Sequence, residues 1–253
     1  MDELKGRVAV VSGATSGIGR MQAIMMAKEG ASVVCIGRDP AKMEEVIATI
    51  KADGGDAIPC VGDVSKAETC NKAASLAIEN FGKIDICCAT AGVFDSFTPS
   101  HELTEEKWDY FSNINIKGVF LLCNAVLPNM MENGYGAIIT MSSIAGLTGN
   151  SGGAVYTATK HAVVGYTRQL CIDYAAKGIT ANAICAGSVL SPILEGIFTE
   201  FPEERETVME NIPAKKIGTP EDIGHMTVFL AGDKARWING SMISVDGGRS
   251  AWG

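Results

Sequence analysis

The sequence predicts an α/β fold of Rossmann type, a doubly wound seven-stranded parallel sheet with helices on both faces. Three observations predict it. Short apolar, β-branched runs alternate with helix-length segments through all 253 residues. Those runs are apolar at nearly every position rather than at every second one, as strands covered on both faces must be. A glycine-rich bend follows the first run directly, where such folds turn from strand to helix.

Taken in order, strands are expected at 8–11, 32–36, 57–61, 84–89, 137–141, 179–184 and 242–245. Between them, helices are expected at 18–29, 40–52, 66–81, 105–132, 154–176 and 220–231. The second of these opens on Asp39-Pro40, with Asp39 placed as cap and proline at the first helical position. Gly30, Gly54, Gly82, Gly134, Gly178 and Gly232 follow the helices, where the chain needs a residue tolerant of positive φ. No low-complexity linker or internal repeat interrupts the pattern, so residues 1–253 read as a single dinucleotide-binding and catalytic domain. Residues 188–218 break the rhythm with Pro192, Pro202 and Pro213 among apolar and acidic residues. A long excursion after a strand reads as a substrate lid, with a surface helix pair packed for stability or subunit contact as the alternative.

Composition narrows the function. A hydrophobic share of 47% against 20% charged residues is enough to bury a core. With 21 basic and 29 acidic residues the net charge is −8, and no basic run is present, which argues against nucleic acid and anionic membrane as partners. The eight cysteines form no CxxC pair and read as reduced core thiols, with adjacent Cys87 and Cys88 on opposite faces of a strand. The opening MDELKGR lacks the pattern of a secretory signal, and no membrane-length apolar run is present, so a cytoplasmic protein is expected. His101, His161 and His225 have no ligand spacing, and no metal site is expected.

Ser12-Gly13-Ala14-Thr15-Ser16-Gly17-Ile18-Gly19 opens the first helix. Glycines there let the backbone approach a pyrophosphate, whose charge the free amides and dipole of a helix N-terminus stabilise. After the second strand comes Gly37-Arg38-Asp39. An acid at the first of these positions would hold both ribose hydroxyls and repel a 2'-phosphate, whereas glycine followed by arginine leaves room and supplies the countercharge. The pattern reads as NADP rather than NAD.

Tyr156 and Lys160 stand four apart in a helical stretch, on one face. An ammonium beside a phenol favours phenolate, which a general acid/base acting on an alcohol or ketone requires. Ser143, just past the fifth strand, can donate to a substrate oxygen as charge develops on it, and alternation along the strand favours it over Ser142.

The order of SGATSGIG, Gly62-Asp63-Val64, the Asn115 region, SSIAG, Y-x-x-x-K, AGSVLS and VDGG resembles the short-chain dehydrogenase/reductase family over essentially the whole chain. The resemblance implies Tyr156 as acid/base, Lys160 as its pKa-lowering partner and ribose ligand, and Ser143 as the carbonyl-orienting hydroxyl. It implies that Asn115 holds a water linking Lys160 to solvent. The implied dinucleotide contacts are Gly13, Thr15, Ser16, Ile18, Gly37, Arg38, Asp63, Val64, Ala89, Gly92, Gly187, Val189 and Ser191, with Tyr156 and Lys160. A homotetramer or homodimer is implied as well. Two departures stand out: Ala89-Thr90-Ala91-Gly92 where the family has Asn-Asn-Ala-Gly, and Ala186-Gly187 where it has Pro-Gly.

For the substrate, Phe94, Phe97, Leu147, Asn150, Val155, Ile193, Leu194, Ile197, Phe198 and Phe201 flank the expected cleft. Such a lining, mostly apolar with few fixed charges, suits a bulky apolar ketone or alcohol such as a hydroxysteroid or bile acid. A 3-oxoacyl thioester on an acidic carrier is the second reading, weakened by the lack of Lys or Arg across 128–133. Sugar or polyol dehydrogenation is the third, and an NADP-sensing scaffold without turnover is the alternative from a different class.

Overall fold

The β-branched and apolar runs form seven strands: β1 (Val8–Ser12), β2 (Ser32–Gly37), β3 (Asp56–Val61), β4 (Ile86–Ala89), β5 (Gly136–Ser143), β6 (Ile179–Ala186) and β7 (Met242–Val245). A computed structural model describes residues 2–252 and arranges the strands in the order β3-β2-β1-β4-β5-β6-β7, every neighbouring pair parallel. The chain begins at the centre, winds outward one way, then returns to wind the other. Between β1 and β4 the crossovers therefore leave to opposite sides, and a crevice opens at the carboxyl edge.

The helices are α1 (Gly17–Lys28), α2 (Pro40–Ala52), α3 (Ala67–Phe81), α4 (Glu105–Ser112), α5 (Gly118–Asn133), α6 (Ala154–Tyr174), α7 (Pro192–Glu200), α8 (Glu204–Glu210) and α9 (Pro220–Ala231). Strand alternation divides the interior into two cores. Ala9 and Val11 of β1 face Met26 of α1 and Ile223 and Leu230 of α9, while Val8 and Val10 face Leu122 and Val126 of α5 and Val163 of α6. Cys88 lies in the first core and Cys87 in the second, as expected of neighbours in a strand, and all eight cysteines are free.

Helix ends follow the sequence closely. Asp39 caps α2, accepting from the Ala41 and Lys42 amides at 3.0 and 3.1 Å. Gly30, Gly54, Gly82, Gly134 and Gly178 take positive φ, whereas Gly232 stays extended, at φ −86, because α9 leads into a 3-10 turn rather than reversing.

The expected helix over 105–132 is interrupted. Between α4 and α5 one wide turn of π-helix, Asn113–Lys117, admits an extra residue and turns Asn115 inward, where it is fully buried. By length and composition Glu105–Asn133 could cross a membrane, but half of its most apolar stretch is buried against the rest of the chain. In the 188–218 excursion the ends are tied together, Leu190 N–H to Gly218 O and Gly218 N–H to Ser188 O, at 2.8 and 3.0 Å. Neither α7 nor α8 contributes a buried residue.

Candidate active site

The carboxyl ends of the central strands converge on a cleft of about 830 Å³. Gly13, Thr15, Ser16, Ile18, Gly37, Arg38, Asp63, Val64, Gly92, Gly187, Val189 and Ser191 line it together with Ser143, Tyr156 and Lys160. Ala89 does not. It is the last residue of β4, and alternation turns it into the core beneath α3 and α5 at 1% exposure.

The bend after β1 is kept bare. Gly13 has φ +71, and a Cβ at Gly19 would sit 2.4 Å from the Gly13 carbonyl. A Cβ at Gly37 would meet Thr15 Cγ2 at 2.4 Å. The turn packs too closely for side chains at these positions, and the N-terminus of α1 opens onto the cleft beside Thr15 and Ser16. A second hollow of about 490 Å³ continues outward between Thr15, Ser16, Arg38, Asp39 and Lys42. Its two cations are exposed, and its one carboxylate is engaged in capping α2. These residues fit a dinucleotide: amides at a helix N-terminus for a pyrophosphate, with two exposed cations beyond them.

At the centre of the cleft Ser143 and Tyr156 stand together, and Ser143 Oγ accepts from the Ala145 amide at 3.1 Å. Ser142, the rival, donates instead to Lys160 O at 3.0 Å, which leaves Ser143 as the hydroxyl beside the phenol. Lys160 Nζ donates to Met141 O at 2.9 Å and lies 5.5 Å from the Tyr156 ring centroid. The phenol is pushed up to about 12 by burial, drawn back by Ser143 and raised further by the Asp95 charge. Burial brings the Lys160 ammonium down to about 8, with the Cys185 thiol acting the other way. The lowering of Tyr156 by Lys160 that the sequence suggests is thus not seen here, because the ammonium is turned to a main-chain carbonyl.

Asn115 lies behind the cleft. Its Oδ1 accepts from Val93 N at 2.8 Å, and its Nδ2 donates to Val93 O and Thr159 Oγ1 at 2.9 and 3.2 Å. Both amide hydrogens are in use, so one Oδ1 lone pair is left. The space above Gly92 opens toward it: a Cβ there would lie 3.4 Å from both Asn115 Oδ1 and Lys160 Nζ. The space thus lies between an acceptor and an ammonium.

The altered segment after β4 has its own support. Thr90 Oγ1 donates to Gln22 Oε1, Gln22 Nε2 donates to Thr227 Oγ1 at 2.8 Å, and Thr227 donates to Ile223 O. With Gln22 and Thr227 fully buried, this chain ties β4 through α1 to α9. Sequence reasoning did not find it, nor Asp95, a 2%-exposed carboxylate at the start of α6.

Phe94, Phe97, Asn150, Ile193, Leu194, Ile197 and Phe201 line the other half of the cleft. Leu147, Val155 and Phe198 do not: Val155 is fully buried, and Phe198 faces Arg205. Glu200, Glu204, Asn211 and Arg249 add polar groups that the sequence reading left out.

Residues 13–250 match the family model described as Enoyl-(Acyl carrier protein) reductase. A 3beta-hydroxysteroid dehydrogenase of Mediterraneibacter gnavus is 34% identical over 271 residues, covering 98% of this chain and 96% of that one. The chain belongs to the short-chain dehydrogenase/reductase family. A 3-oxoacyl-[acyl-carrier-protein] reductase, FabG, of Staphylococcus epidermidis is 35% identical over 241 residues, covering 95% of this chain and 97% of the relative. A solved structure of a candidate NAD(P)-dependent gluconate 5-dehydrogenase from Beutenbergia cavernae, with bound NADP, is similar at 33% identity and a TM-score of 0.92 over 98% of each chain. This chain is accordingly an NAD(P)-dependent oxidoreductase acting on alcohol and ketone groups.

Proposed function

We propose that the chain interconverts a bulky, apolar secondary alcohol and its ketone, of hydroxysteroid or bile-acid type, with NADP preferred over NAD. The observation that carries the substrate class is the wall of Phe94, Phe97, Ile193, Leu194 and Ile197 in the half of the cleft beyond Tyr156. Hydroxyls of a sugar laid against that wall would lack partners there. The cofactor preference rests on Arg38 and Lys42 around the second hollow, with Asp39 engaged elsewhere.

When bound, the dinucleotide gives or takes the hydride. Gly13, Thr15, Ser16 and Ile18 would hold its pyrophosphate, Asp63 and Val64 its adenine, and Gly187, Val189 and Ser191 its carboxamide end. Ser143 orients the substrate oxygen. Tyr156 hands that oxygen a proton in reduction and removes one in oxidation, and Lys160 and the space above Gly92 lead the proton toward Asn115. The 188–218 excursion closes over the apolar half and excludes water. In the cell the chain works as a homotetramer or homodimer in the cytoplasm; exposed Trp108, Tyr110 and Phe120 on α4 and α5 offer the apolar face for self-association, and eight free thiols suit a reducing compartment.

The 3-oxoacyl reading keeps support from FabG-like relatives, and Glu200, Glu204, Asn211 and Arg249 favour a substrate with a polar end. The test is turnover at 340 nm with NADPH and NADH against oxo bile acids, other oxosteroids, 3-oxoacyl thioesters and keto-sugars. The proposal expects oxosteroid or oxo-bile-acid reduction with NADPH. Activity on thioesters or sugars alone overturns the substrate class, and silence throughout favours the sensing scaffold.

A further inference from the structure

The N-cap of α6, which carries Tyr156 in its first turn, is Gly153 and has no side chain to offer. The orphan amides of that turn are satisfied from the β4 loop instead. Asp95 Oδ1 accepts from Gly153 N and Oδ2 from Tyr156 N, each at 2.9 Å, while Ala154 N donates to Thr98 O at 3.2 Å. The approach depends on glycine, since a Cβ at Gly153 would lie 2.5 Å from Asp95 Oδ2. Just beyond Asp95, Ser96 and Phe97 hold positive φ of 52° and 57°, a conformation that only a firmly anchored turn maintains in residues other than glycine. The anchors are Thr98 N and Oγ1, both donating to Asp95 O. The same loop packs Phe94 edge-on against the Tyr156 ring at 4.9 Å and against Phe97 at 5.0 Å.

We propose that Asp95 is a positioning residue for Tyr156: by capping α6 from the β4 loop, it fixes the phenol and the aromatic wall of the substrate cleft relative to one another. A carboxylate on the loop that bears the wall and on the helix that bears the proton donor makes seating of the substrate and aim of the hydroxyl one event. Its charge also acts on the phenol, as does the Ser143 hydroxyl from β5, while the Lys160 ammonium on the same helix is turned to Met141 O; of the two groups acting on the phenol it is Asp95 that favours the protonated form. The inference rests on Tyr156 being the acid/base.

The test compares Asp95→Asn, Gly153→Ala and Tyr156→Phe with the parent, using NADP and the alcohol of the panel above that turns over fastest. Asp95→Asn keeps the shape but loses the charge and one acceptor. It is expected to lower kcat about 10-fold or more, with a smaller rise in KM, and to move the acid limb of the oxidation profile to lower pH. The same downward movement is expected, without substrate, in the titration of the Tyr156 Cζ resonance of tyrosine-labelled protein. Gly153→Ala, which drives a methyl into the carboxylate while leaving Asp95 in place, is expected to give a kcat loss of similar size. If Asp95→Asn lowers only the Tm, leaving plateau and limb unmoved, Asp95 is a loop clip and the proposal is overturned. Parent-like kcat in Gly153→Ala overturns it as well, and does so even should Asp95→Asn fail to fold. Retained turnover in Tyr156→Phe overturns the acid/base reading beneath it, a result separable from the other two.

Discussion

Replacing Arg38 by alanine tests the cofactor reading most directly. The guanidinium is exposed, so its attraction to a 2'-phosphate acts through a water-like dielectric, at about 1 kcal/mol per pair of unit charges 4 Å apart. A phosphate monoester carries about −1.5 to −2 at neutral pH, and hydrogen bonds to it from a charged donor contribute about 1.5–3 kcal/mol in net terms. Lys42 shares the hollow and recovers part of the loss, which leaves about 2 kcal/mol, or roughly a 30-fold rise in KM for NADPH. The KM for NADH should stay within about twofold, because NADH has no phosphate there. Salt supplies a second axis: the Debye length shrinks from about 10 Å at 0.1 M to about 3 Å at 1 M, so the parent's NADPH preference should fall with salt while the variant's stays flat. Steady-state kinetics with both dinucleotides at two salt concentrations reads all of this. An equal penalty on NADH would mean that Arg38 supports the fold of the loop, and no penalty on NADPH would refute the assignment of the hollow.

Three further outcomes are expected. Gly92→Ala places a methyl 3.4 Å from both Asn115 Oδ1 and Lys160 Nζ, close enough to fill the gap yet without a clash, so kcat should drop by about 10-fold or more while the Tm barely moves. Thr227→Val leaves the buried Gln22 amide without its acceptor, at a cost of about 1–3 kcal/mol and a Tm lowered by several degrees in a calorimetric scan. Alkaline pH should destabilise the protein. Burial raises the Cys35 and Cys70 thiols to about 12 and Cys185 to about 11, against an ordinary value of 9.0. Below pH 9 both states hold these protons; between 9 and the folded values only the unfolded chain has lost them, so stability falls by about 1.4 kcal/mol per pH unit for each thiol. Lys160, with a folded value of about 8 against 10.5, works in the opposite sense between those limits, and three thiols outweigh it. Urea unfolding in reducing buffer at pH 8, 9 and 10 should therefore show a small rise in stability from 8 to 9, where Lys160 acts alone, and a decline from 9 to 10, where the thiols dominate; no decline over that last step would refute it.

Elements whose signal is local were legible in the sequence. The β1 bend, the Asp39 cap and the positive-φ glycines after five of the helices each follow from a few adjacent residues, and each lies where expected. The strand runs were right to within a few positions, β4 starting at Ile86 because Ile84 and Asp85 precede its ladder. What escaped is what depends on residues distant in the chain. Asp95 meets partners 58 and 61 positions away, and no nearby residue marks it as a cap. Thr90 in place of asparagine reads as a loss until Gln22 and Thr227 are seen to join it. Periodicity also failed where it ran on smoothly: the apolar pattern passes through Asn113–Lys117 without a mark, so the change of helical pitch left no trace in composition. In the cleft, sequence proximity to Tyr156 placed Leu147 and Val155 on the lining, but Val155 faces the core.

The wide turn at Asn113–Lys117 also constrains how this chain can change length. An ordinary helix turns about 100° per residue, so the surplus residue sets the faces of α4 and α5 out of phase by that angle. Removing any one residue there would restore regular pitch and tighten the hydrogen bonding, a local gain. It would also swing Asn115 off Val93, and rotate either the buried side of α5 out of the core or Trp108 and Tyr110 of α4 to a new bearing. The site and the outer helical face are thus indexed to each other by one residue. An insertion elsewhere in the surface loops leaves that index intact, whereas a single deletion here resets it along the whole of α4 or α5.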